Sequence, residues 1–210
     1  MRANGRFGTE DVNVAAPRTA EAVVNSLRDP QYLPFPQRHQ TVSVFERRVI
    51  GPDGRPIAHH TIRAIKAGED GVRSHHCWLM PGVSSVSVRY GGRAAVVREF
   101  DGSDAIVDIE LTRPLFAGQT TSLQYDFEFG PNCGRSTDYR RVAYARTDNV
   151  DLVVQFDPSH PPHRLWWAIW DDHRGGTLLH EEPAVLDGEG SVHWFLRYLE
   201  NAAVGFRWDW

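Results

Sequence analysis

The chain has 210 residues, of which 41% are hydrophobic and 11% aromatic, and its formal net charge is −4. This length is enough to bury one sizeable core, and the charge gives no electrostatic reason to expect binding to nucleic acid or to an anionic membrane. No apolar run approaches the roughly 20 residues that span a bilayer, and the N-terminus lacks the apolar segment of a secretory signal, so we expect a cytoplasmic protein.

The N-terminal segment differs from the rest of the chain. Residues 1–18 have few large apolar groups and no sustained period, which is typical of a flexible arm. Residues 18–30 predict one short helix, which Thr19 would cap and Pro30 would end. Its apolar stripe would consist of Ala20, Val23, Val24 and Leu27.

From residue 40 onward, short apolar runs alternate with turn residues such as Gly51-Pro52-Asp53-Gly54 and Gly91-Gly92. We therefore predict an all-β fold for a single domain over 19–210, either a two-sheet β-sandwich or a flattened barrel of about a dozen antiparallel strands. The predicted strands are 41–50, 57–65, 72–80, 83–90, 94–100, 105–111, 120–129, 138–146, 151–156, 164–170, 177–186, 191–199 and 204–210.

Two histidine pairs, His59-His60 and His75-His76, lie on neighbouring predicted strands. An antiparallel hairpin over 57–80, with its turn at 67–71, would place His60 opposite His76. Two imidazoles alone do not complete a zinc site, and the spacing matches no zinc motif, so we predict no metal and no cofactor. Three interpretations stay open for the pairs: ligand contacts, general acid–base groups, or polar strand residues.

The run RLWWAIW over 164–170 is the densest aromatic stretch. Strand alternation places Trp166 and Trp170 on one face and Trp167 on the other. We expect Trp167 to lie in the core and the other two to border a cavity, because Ala168 leaves room between them. The predicted ligand-binding residues are Trp166, Trp170, Tyr139, Arg141, His60 and His76.

Familiar catalytic motifs are absent from the sequence. There is no Gly-x-Ser-x-Gly elbow, no phosphate-binding loop and no dinucleotide-binding turn. Cys77 and Cys133 do not define a disulfide framework, although one bridge between them is allowed.

The C-terminal half carries a resemblance. It depends on Arg113-Pro114-Leu115, the Pro162-x-x-Leu165-Trp166-Trp167 run, Glu200-Asn201 and the ending Gly205-Phe206-x-Trp208. With these features, residues 40–210 resemble the C-terminal β-rich domain of actinobacterial helix-turn-helix regulators of the lambda-repressor-like class. The resemblance implies a sensory or interaction module of unknown ligand. Residues 1–40 hold too few helices for the DNA-binding domain of that class, so DNA binding is not implied.

Three functions remain open at this stage. The first is a stand-alone regulatory β-module that binds a small apolar ligand or a protein partner. The second is a biosynthetic enzyme, of cyclase or hydrolase type, that acts on a natural product in an aromatic-lined cavity and needs no recognisable motif. The third is a self-assembling structural module. A homodimer is compatible with each.

Overall fold

The protein is described from a computed structural model that covers residues 19–28, 37–99, 105–172 and 175–210. These residues form fourteen strands and no helix, so the predicted all-β class is confirmed. None of the described elements is a helix long and apolar enough to cross a membrane. The predicted flexible arm, residues 1–18, lies outside the described residues.

Seven strands form the largest sheet, in the order β1-β13-β10-β2-β3-β8-β5. Their bounds are Thr19–Val24 (β1), His39–Ile50 (β2), Pro56–Ala67 (β3), Val83–Tyr90 (β5), Thr120–Phe129 (β8), Thr147–Phe156 (β10) and Ser191–Glu200 (β13). Apolar and polar residues alternate along β2, β3 and β10, and this period of two buries one face of the sheet.

Two smaller sheets hold the other strands. The four-stranded sheet has the order β12-β11-β14-β9, with bounds Asp138–Ala143 (β9), Arg164–Trp170 (β11), Leu178–Pro183 (β12) and Ala202–Asp209 (β14). The three-stranded sheet has the order β4-β7-β6, with bounds Val72–Leu79 (β4), Gly92–Glu99 (β6) and Ala105–Leu115 (β7). Each of the thirteen predicted runs overlaps one of the observed strands β2 to β14.

The two smaller sheets cover different ends of the large one. The first core cluster joins β2, β10 and β13 to the four-stranded sheet, with Trp167, Trp194 and Trp208 buried at its centre. The second cluster joins β3 and β8 to the three-stranded sheet through Ile65, Ile109 and other apolar residues. The two smaller sheets therefore form a second layer that is divided, and the division between them lies over β2 and β3.

This division corrects the predicted two-sheet sandwich or flattened barrel. The described strands form three sheets, because β4 and β9 are edge strands that do not pair with each other. Two pairings are parallel rather than antiparallel, β1 with β13 and β10 with β2. They arise because these partners come from distant parts of the chain and approach in the same direction.

The predicted N-terminal helix is wrong for the described residues. Thr19–Val24 form the edge strand β1, which pairs in parallel with β13. A segment this short gains little from helix formation alone, whereas pairing with β13 satisfies its backbone groups.

The predicted hairpin over 57–80 is also wrong. Strand β3 lies between β2 and β8, so both of its edges are occupied, and the chain crosses to the other layer before forming β4. His60 is paired with Arg47 and Asp126, whereas His76 is paired with Asp108 on β7. The two histidines are therefore not cross-strand neighbours.

Candidate functional site

A cavity of about 1170 Å³ occupies the division in the second layer. Strands β2, β3 and β8 contribute its floor, and its walls are the facing edges of β4 and β9. Consecutive residues line it on both sides, 75–81 from β4 and the turn after it and 138–147 from β9 to the first residue of β10. A volume of this size is sufficient for a drug-sized ligand.

Aromatic rings cover part of the cavity surface. Tyr125, Phe127 and Phe129 project from alternate positions of β8, and Tyr139 projects from β9. The ring of His59 on β3 stacks on Phe127 with 6.0 Å between centroids and lies 5.6 Å from the ring of Tyr139. These rings give the cavity flat apolar surfaces against which an organic molecule can pack.

A buried carboxylate lies on the floor among cationic side chains. Arg141 donates a hydrogen bond of 2.9 Å to Glu46, Arg63 donates one of 3.4 Å, and the Tyr139 hydroxyl donates one of 2.5 Å. Burial alone would raise the pKa of Glu46, but Arg141, His59, Arg63 and the Tyr139 hydroxyl outweigh it and hold the pKa at about 2. Glu46 is therefore ionised at neutral pH.

Arg48 lies two residues further along β2 and faces the same cavity. Its guanidinium carbon lies 4.7 Å from the centroid of the Phe129 ring and 5.0 Å from that of Tyr139. One of its terminal nitrogens contacts the sulfur of Met80. Among the described residues it forms no ion pair, and burial lowers its pKa. A guanidinium nevertheless stays protonated in proteins.

A chain of hydrogen-bonding groups connects the floor to the β4 wall. The His75 ring makes both contacts: its Nδ1 atom lies 3.1 Å from Nε2 of His39, and Nε2 of His75 lies 3.7 Å from the Cys77 sulfur. Burial raises the pKa of the Cys77 thiol. Both cysteines are free thiols. In the described part of the chain, no three His, Cys, Asp or Glu residues are grouped to hold a metal ion.

Three histidines of the cavity, His39, His59 and His75, are neutral at physiological pH. Burial, reinforced by Arg63, lowers the pKa of His39 to about 4 and holds that of His75 well below its ordinary value. Burial and then Arg48 lower the pKa of His59 to about 3. These neutral imidazoles therefore face the cavity beside guanidinium groups, including those of Arg48 and Arg63.

The structure brings three of the six predicted site residues to this cavity. Tyr139, Arg141 and His76 line it. The imidazole of His76 bonds Asp108 on the neighbouring strand, with 2.6 Å from Nδ1 to Oδ1. That these residues bind a ligand stays a prediction.

The other three predicted residues lie elsewhere. His60 faces the opposite side of β3 from His59 and bonds Asp126 at 2.8 Å. Trp166 is half-buried beside a smaller depression of about 500 Å³. Trp170 is buried beneath the Arg140 guanidinium, 4.4 Å from the ring centroid. Trp166 and Trp170 therefore do not border the large cavity, because the even-numbered face of β11 turns away from the division.

Glu46, Arg48 and Arg63 are not among the residues predicted from the sequence. A signal was present, because strand alternation places Glu46 and Arg48 on the same face of β2 as Val44 and Ile50. Charged side chains between inward-facing apolar positions are costly unless they are paired or functional. That pattern marks the floor of the cavity.

Comparisons with known proteins give a distant structural similarity. No family model matches the sequence, and no curated protein matches it significantly. The crystal structure of a protein from Parabacteroides distasonis, named "putative protease", resembles the fold with a TM-score of 0.52 and 12% sequence identity. The similarity covers 80% of this chain and 40% of that one, so this chain spans well under half of that protein. At this identity the similarity concerns the fold alone.

Proposed function

We propose that the protein is a binding module that holds one small amphipathic organic molecule in the central cavity. The observation that carries this proposal is the division of the second layer. Two edge strands stand apart over a continuous floor and leave about 1170 Å³ between them. Aromatic surfaces with a few convergent polar groups are typical of small-molecule sites.

The polar floor changes the expected character of the ligand. The sequence predicted an apolar ligand, yet Glu46, Arg48 and Arg63 are all buried at the cavity surface. A wholly apolar molecule would cover these groups without hydrogen-bonding to them, and that is unfavourable. A molecule with an apolar body and a polar end suits this floor better. A regulatory role, as the resemblance to the regulators implies, is part of the same proposal.

A cavity-filling variant tests the proposal. Thr61 lies on the cavity floor and is 1% exposed. We expect a fluorescent probe, either N-phenyl-1-naphthylamine or 8-anilinonaphthalene-1-sulfonate, to bind the wild type with one-to-one saturation. Thr61→Phe should abolish this binding, and Thr61→Leu serves as a smaller change if the first variant does not fold.

Ile62→Phe is the matched control, because Ile62 is the next residue of β3 and lies on the opposite, exposed face. It should leave binding unchanged. Binding of neither probe, or equal binding to the Thr61 and Ile62 variants, would exclude the cavity as a binding site.

A second candidate function has one specific observation in its favour. Cys77, His75 and His39 form a chain of thiol, imidazole and imidazole at the cavity wall. A nucleophile, a base and a group that orients the base are the parts of a thiol acyl-transfer site. Against this function, burial raises the pKa of the Cys77 thiol, whereas the thiolate is the reactive form.

Thiol alkylation distinguishes the two functions. With iodoacetamide at neutral pH, the binding proposal expects slower labelling of buried Cys77 than of half-buried Cys133, measured by peptide mass spectrometry. Faster labelling of Cys77, slowed by His75→Ala, would favour the enzyme instead.

A further inference from the structure

Unpartnered polar atoms are concentrated at the cavity. Nine buried side-chain nitrogen or oxygen atoms in the described residues have no hydrogen-bond partner, and six of them belong to residues that line the cavity. They are His39 Nδ1, Arg48 Nε, His59 Nδ1, Thr61 Oγ1, Arg63 Nε and Arg141 Nε. Buried polar groups in folded proteins are nearly always paired. A cluster of this kind therefore marks a surface that is completed by something else.

The chemistry of these atoms points to a ligand rich in acceptors. The three arginine Nε–H groups can only donate. Their only buried carboxylate partner in the described chain is Glu46, which Arg63 and Arg141 share. The third guanidinium, that of Arg48, has no such partner, and its residue is 8% exposed. The floor thus carries uncompensated positive charge.

Arg48 and His59 form the centre of this surface. They are directly opposite each other on the paired strands β2 and β3. Both line the cavity, and each has one ring or guanidinium nitrogen without a partner. The Arg48 guanidinium lies over the rings of both Phe129 and Tyr139, and these cation–π contacts use none of its N–H donors.

We infer that Arg48 is the receptor for the anionic head of an amphipathic organic anion, whose apolar body lies against the aromatic side chains that β8 contributes to the floor. An oxyanion head group, either carboxylate or phosphate, supplies the acceptors that the guanidinium fork requires. His59, paired with Arg48 across the two strands, is a second polar residue at this point of the floor. This inference rests on the proposed function, because it names the ligand class of the same cavity.

The test uses two probes that differ by one charged group. 8-Anilinonaphthalene-1-sulfonate carries a sulfonate on the same aromatic body as neutral N-phenyl-1-naphthylamine. We expect the wild type to bind the anionic probe at least about tenfold more tightly, since a hydrogen-bonded charge contributes this much or more. Arg48→Met should remove that preference while changing affinity for the neutral probe less than about threefold. Arg48→Lys, which keeps the positive charge, should retain part of the preference for the anionic probe.

Arg47→Met is the matched control. Arg47 is the preceding residue of β2, and its guanidinium bonds Gln155 rather than lining the cavity. This variant should keep the wild-type preference. Competition then tests the head group: 1-naphthoate or 1-naphthyl phosphate should displace the anionic probe, whereas neutral 1-naphthamide should not.

A stability measurement separates ligand binding from a structural role. Without ligand, Arg48→Met removes a buried charge that forms no ion pair with any described residue, so the melting temperature of the variant should rise by a few degrees. A fall in the melting temperature of Arg48→Met, together with an equal loss of affinity for both probes, would overturn the inference.

Equal wild-type affinity for the two probes, with binding still lost in Thr61→Phe, would also overturn it while leaving the proposed function intact. If neither probe binds in a way that depends on Thr61, the proposed function itself fails.

Discussion

The inward face of β2 passes through two different environments. Val44 and Ile50 lie in the first core cluster, where Trp167 stacks on Trp194 with 4.6 Å between centroids and 3° between planes. Glu46 and Arg48, between them in sequence, face the cavity instead. One strand therefore supports a packed core and an open polar surface, and the difference is set by whether the layer above it is continuous.

The two regions also differ in their unpartnered polar atoms. In the tryptophan-rich core these are the indole nitrogens of Trp194 and Trp208, which are neutral. At the cavity they include the nitrogens of three guanidinium groups. Leaving a charged group unsatisfied costs more than leaving a neutral one. The core is thus arranged for stability, and the cavity retains polar groups that cost stability.

The largest effect is expected on the core side. Trp167→Ala should lower the free energy of unfolding by about 3–5 kcal/mol, because it removes a ring packed between Trp194 and Phe206. Trp166→Ala, which removes a half-buried ring under Arg207, should cost less than half as much. Urea denaturation measures both values. Equal losses would mean that the two faces of β11 are packed alike.

Removing the buried carboxylate should produce the next largest effect. Glu46→Gln leaves Arg63 and Arg141 without an anionic partner and should cost about 3 kcal/mol at neutral pH. The folded pKa of Glu46, about 2, lies below its usual 4.5. Its stabilisation is therefore present above pH 4.5 and is lost as pH falls toward 2.

Acid denaturation should show this window in the wild type and a flatter curve in Glu46→Gln. Glu128→Gln, at an exposed position on β8, is the control and should retain the wild-type slope. A slope that is unchanged in Glu46→Gln would contradict the assigned role.

The neutral histidines should make the cavity side sensitive to mild acid. The pKa of His59 is about 3 in the folded protein and 6.5 ordinarily, so the unfolded chain binds the proton first as pH falls. The free energy of unfolding therefore falls as the pH drops below 6.5. His59 accounts for about 2 kcal/mol of this fall at about pH 5.

The free energy of unfolding should fall between about pH 7.5 and about pH 5 in both the wild type and His59→Phe. In His59→Phe this fall should be smaller than in the wild type by about 2 kcal/mol. Ile62→Phe introduces the same ring on the other face of β3 and should behave as the wild type. An identical loss in His59→Phe and in the wild type would show that this imidazole does not resist protonation.

The smallest effect is expected at the β4 wall. The Gln37 side chain donates a 2.7 Å hydrogen bond to the carbonyl of His76 and accepts one of 3.4 Å from its N–H, so it occupies part of the strand edge. Gln37→Ala should cost about 1 kcal/mol and speed hydrogen exchange at the His76 amide. Gln40→Ala, which removes an exposed bond to Asp148, should not change that exchange rate.

The strands could be predicted from the sequence because each one depends on local signals. Turn residues such as Gly54 and Gly91, both with positive φ, end apolar runs at positions where few other residues fit. The N-terminal segment was mispredicted because Val23 and Val24 suit either a helical stripe or a strand. Its partner β13, at the other end of the chain, decides the outcome.

The cavity could be predicted only in part. Tyr139 and Arg141 were identified by residue type, and the structure places both at the wall. The division between β4 and β9 depends on which strands pair across the sheet, and sequence spacing does not record that. The expected hairpin of β3 with β4 failed for the same reason, because a turn at 67–71 fits a crossover as well as a hairpin.

The parallel pairing of β2 with β10 has a consequence for how the chain folds. While the protein is being synthesised, β2, β3, β8 and β5 can already form one end of the large sheet, because all four precede residue 130. The outer edge of β2 then has no partner until residues 147–156 emerge. Pairings between distant segments are slow to form, and an open strand edge can pair with another chain. Nascent chains that stall between β8 and β10 should therefore be the species most prone to aggregate.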